Sequence, residues 1–221
     1  MPIATTHVTF SSGPLALEGL LSLPGQADPS AGLTGLVVCH PHPLYGGDIE
    51  NNVVAALADG LATRGMATLR FNFRGVGRSH GAFDEGRGEQ EDARAAVQFL
   101  ASHPAVDPRH VVLAGYSFGA SVALAVAAAE SSIAALIAVS LPGARVNADA
   151  FRHRDLAKLF LAGTEDTIAG PQALTEALQG LPPPTVVHLA AGADHSWRGQ
   201  EAWLADKVAE FLEAYAGTDR A

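Results

Sequence analysis

The chain is poor in several features that would each have placed it. It has one cysteine, Cys39, which cannot close an internal disulfide, and this fits a reducing cytoplasm. It has no excess of positive charge: the formal net charge is -9, which opposes binding to nucleic acid or to an anionic membrane. The acidic residues are scattered rather than clustered, so they do not point to a cationic substrate either. The start, Met1-Pro2-Ile3-Ala4-Thr5-Thr6-His7, lacks the basic end and apolar core of an export signal. An unbroken apolar span is missing as well. The longest uncharged stretch, Val111 to Ala129, is interrupted by Gly115, Ser117 and Gly119 and reads as strand, turn and helix, not as a membrane crossing. Apolar residues nevertheless make up 48% of the chain, which excludes disorder, and 221 residues suit one α/β domain, 1–221, with a full core.

The interrupted stretch is the most informative part of the sequence. Val111-Val112-Leu113-Ala114 is a short apolar run of strand type, Gly115-Tyr116-Ser117-Phe118-Gly119 has the form G-x-S-x-G, and Ala120 to Glu130 is an Ala-rich helix candidate. A serine on a sharp strand-to-helix turn is held in a strained backbone conformation with its hydroxyl exposed. Such a turn leaves no room for a Cβ two residues before or after the serine, which accounts for Gly115 and Gly119. The helix that follows aims free backbone N–H groups at whatever the serine attacks.

Around this turn the chain alternates. Val8 to Ser12 and Leu17 to Leu23 read as a hairpin about Ser12-Gly13-Pro14, and Gly25 to Thr34 as a polar loop. Further strands are expected at Gly35 to Cys39, Ala67 to Phe73, Val111 to Ala114, Ala134 to Ser140, Lys158 to Ala162 and Thr185 to Leu189. Helices are expected at Asn51 to Thr63, Glu89 to Ser102, Ala120 to Glu130, Pro171 to Leu178 and Glu201 to Tyr215. His40 to Gly47 is expected to be neither helix nor central strand because of its prolines. Strands alternating with helices after an antiparallel start predict a mostly parallel eight-stranded sheet with helices on both faces, and a site at the carboxyl ends of the strands.

A serine hydroxyl needs a base, and the base needs an orienting acid. Three histidines follow Ser117. His188 lies inside a strand and His153 in the charged run Arg152-His153-Arg154-Asp155, whereas His195 lies in a loop just past the last strand, where a base must sit. Asp166 likewise follows a strand end, at Gly163-Thr164-Glu165-Asp166; Asp149 and Asp194 are its rivals, and Glu165 points away from it as an adjacent side chain must. The backbone N–H of Phe118, directly after the serine, is one expected oxyanion donor. The second is expected from His40 to Gly47, where Pro41 and Pro43 have no N–H, leaving His42 first and Leu44 second.

These segments resemble the α/β-hydrolase superfamily, and more closely the small bacterial hydrolases related to dienelactone hydrolases. The resemblance is carried by His40-Pro41-His42-Pro43-Leu44-Tyr45-Gly46-Gly47 with Asn51-Asn52, by Arg70-Phe71-Asn72-Phe73-Arg74-Gly75-Val76-Gly77-Arg78-Ser79-His80-Gly81, by Gly115 to Gly119, by Gly163 to Asp166 and by Asp194-His195. It implies a serine hydrolase of α/β-hydrolase fold acting on small-molecule esters without a cofactor. Dienelactone hydrolases use a cysteine where this chain has Ser117, so their substrate does not carry over.

Other features are weighed against simpler readings. His40-x-His42 has the spacing of a metal pair, but the proline between them and the lack of further ligands argue for a ring that holds the loop instead. Cys39 reads as a small buried hydrophobe. Arg74-Gly75-Val76-Gly77-Arg78 lacks the rest of a dinucleotide fingerprint and reads as a structural turn. Glu89-Gln90-Glu91-Asp92 reads as a solvated acidic helix start. Between Ser140 and Lys158 there is room for one short helix and its turns, not for an apolar cap. The functional expectation is therefore a carboxylesterase for short-chain esters, with Ser117, His195 and Asp166 as triad and the N–H groups of Phe118 and His42 as oxyanion hole. A thioesterase, amidase or peptidase with the same triad, a metal hydrolase built on His40 and His42, and a non-catalytic binding protein are the rival readings.

Overall fold

A computed structural model describes residues 2–25 and 32–216. The polar loop expected over Gly25 to Thr34 falls for the most part outside the described residues. The chain opens with two long strands, β1 (Ile3–Ser12) and β2 (Leu15–Pro24), paired antiparallel about Gly13, whose φ of 53° suits glycine. There follow β3 (Leu33–Cys39), α1 (Asn52–Ala62), β4 (Ala67–Phe71), α2 (Arg87–Ala101), β5 (Val106–Tyr116), α3 (Phe118–Ala129), β6 (Ile133–Val139), β7 (Ala157–Gly163), α4 (Pro171–Leu178), β8 (Thr185–Ala190) and α5 (Glu201–Ala216). The eight strands among the described residues form one sheet in the order β1-β2-β4-β3-β5-β6-β7-β8. From β4 to β8 all neighbours are parallel; β2 joins β4 antiparallel. This is an α/β-hydrolase fold.

Parallel strands flanked by helices are buried on both faces, and that is why these strands are apolar at successive positions. Val37, Leu113, Leu136 and Phe160 pack on one side with Ala93, Ala96 and Leu100 of α2 and Ala123 and Val126 of α3. Their strand neighbours Leu36, Val112, Ile137 and Leu159 point the other way, onto Val53 and Leu57 of α1 and Leu204, Val208 and Phe211 of α5. After β3 the chain passes to β4 on one side and then to β5 on the other. The loops leaving β3 and β5 therefore diverge and open a crevice at the carboxyl edge.

Local chemistry sets the ends of elements. Asn51 caps α1, its side chain accepting the Val53 N–H at 3.0 Å. β4 ends at Phe71, before the expected Phe73, because the next two amides bond elsewhere: Asn72 N–H to Glu18 O at 3.0 Å, and Phe73 N–H to the His40 ring at 3.1 Å. The run after β4 is structural, as expected. Arg70 donates to Ile49 O at 3.0 Å, the Asn72 side-chain oxygen Oδ1 accepts the Ile49 N–H at 2.9 Å, and Gly75 and Gly77 turn at φ 77° and 57°.

Three expectations are corrected. Residues 40–47 do contain a single 3-10 turn, Pro43–Tyr45; Pro43 stands at its first position, where a missing N–H costs nothing, and Gly46 closes it at φ 81°. The acidic start of α2 is not solvated: Glu89 and Asp92 are fully buried. Glu89 accepts the N–H groups of Asp84 and Gly86 at 2.8 and 2.7 Å, and Asp92 receives Nε and Nη2 of Arg74 at 2.9 and 2.7 Å, so both carboxylates fasten the 74–86 loop to α2. Between β6 and β7 there are two short 3-10 turns, Gly143–Arg145 and Ala148–Phe151, in place of one short helix. No helix among the described residues is long and apolar enough to cross a membrane.

Candidate active site

Ser117 stands between β5 and α3 with φ 56° and ψ -112°, a conformation that L-residues rarely adopt. Its N–H is tied to Val139 O of β6 at 2.8 Å. The flanking glycines answer a demand for space. A Cβ on Gly115 would lie 2.2 Å from Gly119 O, and one on Gly119 would lie 2.3 Å from Cys39 O and 2.5 Å from His40 O. The first turn of α3 is thereby pressed against the end of β3, and the serine hydroxyl is pushed out over the carboxyl edge.

His195, in the loop after β8, places Nε2 3.0 Å from Ser117 Oγ and Nδ1 2.9 Å from both carboxylate oxygens of Asp166. Asp166 follows β7, and its side chain is fully buried. Burial by itself would raise its pKa; the bonds from His195, from the Ala169 N–H at 2.8 Å and from the Ser140 hydroxyl outweigh that and hold the carboxyl below the usual range. A carboxylate at Nδ1 selects the tautomer with the proton on Nδ1 and a free lone pair on Nε2, facing the serine.

The rival residues are engaged elsewhere. Asp149 is exposed and paired with Arg152 at 2.5 Å. Asp194 takes the N–H and hydroxyl of Ser196 at 2.8 and 2.6 Å. His153 is exposed, and the His188 ring meets the edge of Trp203 at 6.4 Å.

Three contributors to the site were not read from the sequence. Tyr116, the first variable residue of G-x-S-x-G, donates its hydroxyl to His195 O, and burial pushes that hydroxyl's pKa up to about 12. Trp197 is fully buried at φ 58° and donates to Ser140 Oγ at 2.9 Å. Asn52 donates to Ser196 O at 2.9 Å. Together they pin the loop that carries His195. The available signals were a lone serine at the end of an apolar strand and a tryptophan two residues after the histidine.

The loop after β3 faces Ser117 across the crevice. Its amides are largely used within it: Tyr45 and Gly47 donate to His42 O at 3.0 Å, Gly46 to Pro43 O at 3.2 Å, and Leu44 to the His42 ring at 3.2 Å. Pro41 and Pro43 have none to give. Within Pro41 to Gly47 the His42 N–H is thus the one left without a partner among the described residues. The His42 ring packs on Phe118 and Phe83, each at 4.9 Å. The cleft between these groups measures about 470 Å³ and is lined by His42, Tyr45, Ser117, Phe118, Ile168 and His195 among others.

The His40 ring is buried and bonded at both nitrogens, 2.7 Å from Pro41 O and 3.1 Å from Phe73 N, and burial pushes its pKa down to about 4. It holds the loop, as expected. Cys39 is likewise the expected buried hydrophobe, its thiol pushed well above the ordinary range by burial. Among the described residues, no group of three or more His, Cys, Asp or Glu side chains could hold a metal ion.

A family model described as "Alpha/beta hydrolase domain" matches residues 37–216. The structure of an alpha-beta serine hydrolase homologue from Coxiella burnetii superposes with a TM-score of 0.80 at 31% identity, covering 94% of this chain and 97% of that one. A protein from Xanthomonas campestris, described as a serine hydrolase without lid, also superposes at 0.80, with 30% identity over 97% of this chain and 96% of its own. An uncharacterized protein of Rickettsia prowazekii is 42% identical over 106 residues, 48% of this chain and 44% of that protein. The chain spans less than half the length of the curated relatives it matches first.

Proposed function

Since the chain belongs to the alpha/beta hydrolase domain family, we propose that it is a serine hydrolase, and more narrowly a carboxylesterase for short-chain esters of small molecules, with residues 1–221 as one domain working in the cytoplasm. The observation that carries this reading is the continuous bond path from Ser117 Oγ through His195 to Asp166, with steps of 3.0 and 2.9 Å, at the carboxyl edge of the sheet. In the first half-reaction Ser117 Oγ attacks the ester carbonyl carbon while its proton passes to His195 Nε2. Asp166 keeps Nδ1–H in place and stabilises the imidazolium. The N–H groups of Phe118 and His42 hold the oxyanion. Collapse of the tetrahedral intermediate expels the alcohol, which takes the proton from His195. In the second half-reaction His195 deprotonates a water that attacks the acyl-serine, and a second collapse releases the acid and returns the proton to Ser117. Every proton is carried by the chain's own residues, so the proposal needs neither cofactor nor metal.

Two measurements test it together. A fluorophosphonate probe is expected to label the wild type at Ser117 and to leave Ser117→Ala unlabelled. A panel of esters, thioesters and amides is expected to be turned over fastest as short-chain esters. An unlabelled wild type sinks the catalytic reading in favour of a binding protein, and faster turnover of thioesters or amides moves the substrate class while keeping the triad.

A further inference from the structure

We propose that His40 is a positioning residue for the oxyanion hole: its ring sets the orientation of the Pro41–His42 peptide, so that the His42 N–H points at the developing oxyanion and the Pro41 C=O points away from it. The proposal rests on Ser117 as nucleophile and deepens that reading.

The C=O of one residue and the N–H of the next belong to a single planar trans unit and point in opposite directions. Whatever fixes the Pro41 carbonyl therefore fixes the His42 N–H. The torsions just outside this unit are stiff. The Pro41 ring locks its own φ. His42 precedes Pro43 and is confined to the extended region, where it is found at φ -58° and ψ 122°. That leaves ψ of Pro41 and φ of His42, the two torsions that turn in opposite senses when this peptide flips. A flipped peptide would present a carbonyl oxygen to the oxyanion and turn stabilisation into repulsion.

Two contacts oppose the flip. His40 Nδ1 lies 2.7 Å from Pro41 O. On its other side that oxygen is lodged against Gly47, where a Cβ would come within 2.1 Å of it. The direction of the His40 bond is decided at the far nitrogen: Phe73 N–H donates to Nε2 at 3.1 Å, so Nε2 carries the lone pair and Nδ1 the proton. The ring is fully buried, with its face or edge against Phe73 at 4.7 Å, and burial favours the neutral form that this pattern requires. A doubly protonated ring would set one N–H against the Phe73 N–H. A carbonyl that accepts a hydrogen bond also polarises its own peptide, which strengthens the N–H on the other side as a donor.

The two amide side chains separate the two bonds of the ring. An asparagine nitrogen falls near the position of Nδ1, and a glutamine oxygen near that of Nε2. His40→Asn is expected to keep the bond to Pro41 O and to retain kcat within about tenfold of wild type. His40→Gln is expected to keep the acceptor for Phe73 N–H and lose the donor to Pro41; its kcat should fall on the order of 10²-fold, the range seen when one oxyanion donor is lost, with KM changed little. Affinity for a trifluoromethyl ketone, whose adduct bears an oxyanion, should fall in parallel. A His40→Gln enzyme with wild-type kcat overturns the proposal, as does an equal loss in both variants. If either variant fails to fold, the ¹⁵N shifts of the wild-type imidazole decide: a protonated Nδ1 and an unprotonated Nε2 are expected, and the reverse overturns the proposal. A wild type that neither hydrolyses esters nor takes the fluorophosphonate label instead overturns the reading of Ser117, on which the proposal stands.

Discussion

Asp166 keeps a negative charge in a fully buried position because donors converge on it from His195, from the Ile168 and Ala169 N–H groups and from Ser140. Asp166→Asn removes the charge and turns an amide toward His195 Nδ1, which favours the wrong tautomer. A loss on the order of 10⁴ in kcat is expected, whereas Asp149→Asn and Asp194→Asn, whose carboxylates face Arg152 and Ser196, should stay close to wild type. An active Asp166→Asn enzyme would remove Asp166 from the triad. The same carboxylate should leave a mark on stability. Its folded pKa is lowered, so its contribution is fully present above the ordinary Asp value near ~3.9 and is lost as the pH falls through the lower folded value. The urea-midpoint advantage of wild type over Asp166→Asn should therefore shrink below that pH. At this scale the sequence exposed the three side chains that the fold brings into contact, because Ser117, Asp166 and His195 each follow a strand end in a recognisable order. It did not expose Tyr116, Ser140 and Trp197, whose hydrogen bonds join residues 57 and 79 positions apart.

The elements meet most tightly where α3 crosses the end of β3. Gly119 sits in α3 with room for a hydrogen and nothing more: the atoms a Cβ would strike at 2.3 and 2.5 Å are backbone carbonyls, which have no rotamer to retreat to. Gly119→Ala should already abolish active, folded protein, and Gly119→Val more so. Gly65 is the control. Its φ is 92° but nothing lies within 4 Å of its Cβ position, so Gly65→Ala should cost only the ~1–2 kcal/mol of a left-handed residue. Thermal unfolding of the two alanine variants compares them directly, and wild-type behaviour of Gly119→Ala would mean the turn is not close-packed. The misreading of Glu89 and Asp92 belongs to this scale too. An acidic first turn complements the helix dipole whether it is wet or buried, and only the fold brings Arg74 and the 84–86 amides onto it.

Across the whole molecule, the cleft lies open at the sheet's carboxyl edge, rimmed by Tyr45 at 88% exposure and Ile168 at 67%, with only two 3-10 turns where a lid would stand. A methylene contributes up to about 0.8 kcal/mol only where it is enclosed. A second groove of about 370 Å³ shares Ser121 and Arg145 with the cleft and runs along α3, lined by Leu124 and Phe151 but also by the single methyl groups of Ala125, Ala128, Ala129 and Ala150. On p-nitrophenyl esters kcat/KM should therefore rise from acetyl to butyryl and then level off, with no jump above the substrate's solubility limit. A continued rise at long acyl chains would mean that the groove along α3 receives them.

The sequence by itself determined the order of strands and helices, the turn that presents Ser117, and the residue types at the strand ends, because all of these follow from local periodicity and local sterics. The choice of Asp166 over Asp149 and Asp194 was ordered by sequence position but separated by the fold, which sends Asp149 to solvent and turns Asp194 back on Ser196. The fold likewise separates His42 from Leu44: the His42 ring takes up the Leu44 N–H at 3.2 Å, and the His42 N–H has no partner among the described residues. The same is true of the buried fate of Glu89 and Asp92 and the grip of His40 on the Pro41 carbonyl. The physical reason is common to them: each depends on which donor lies within about 3 Å of a given acceptor, and that is settled by how the loops at the carboxyl edge pack together, not by periodicity along the chain.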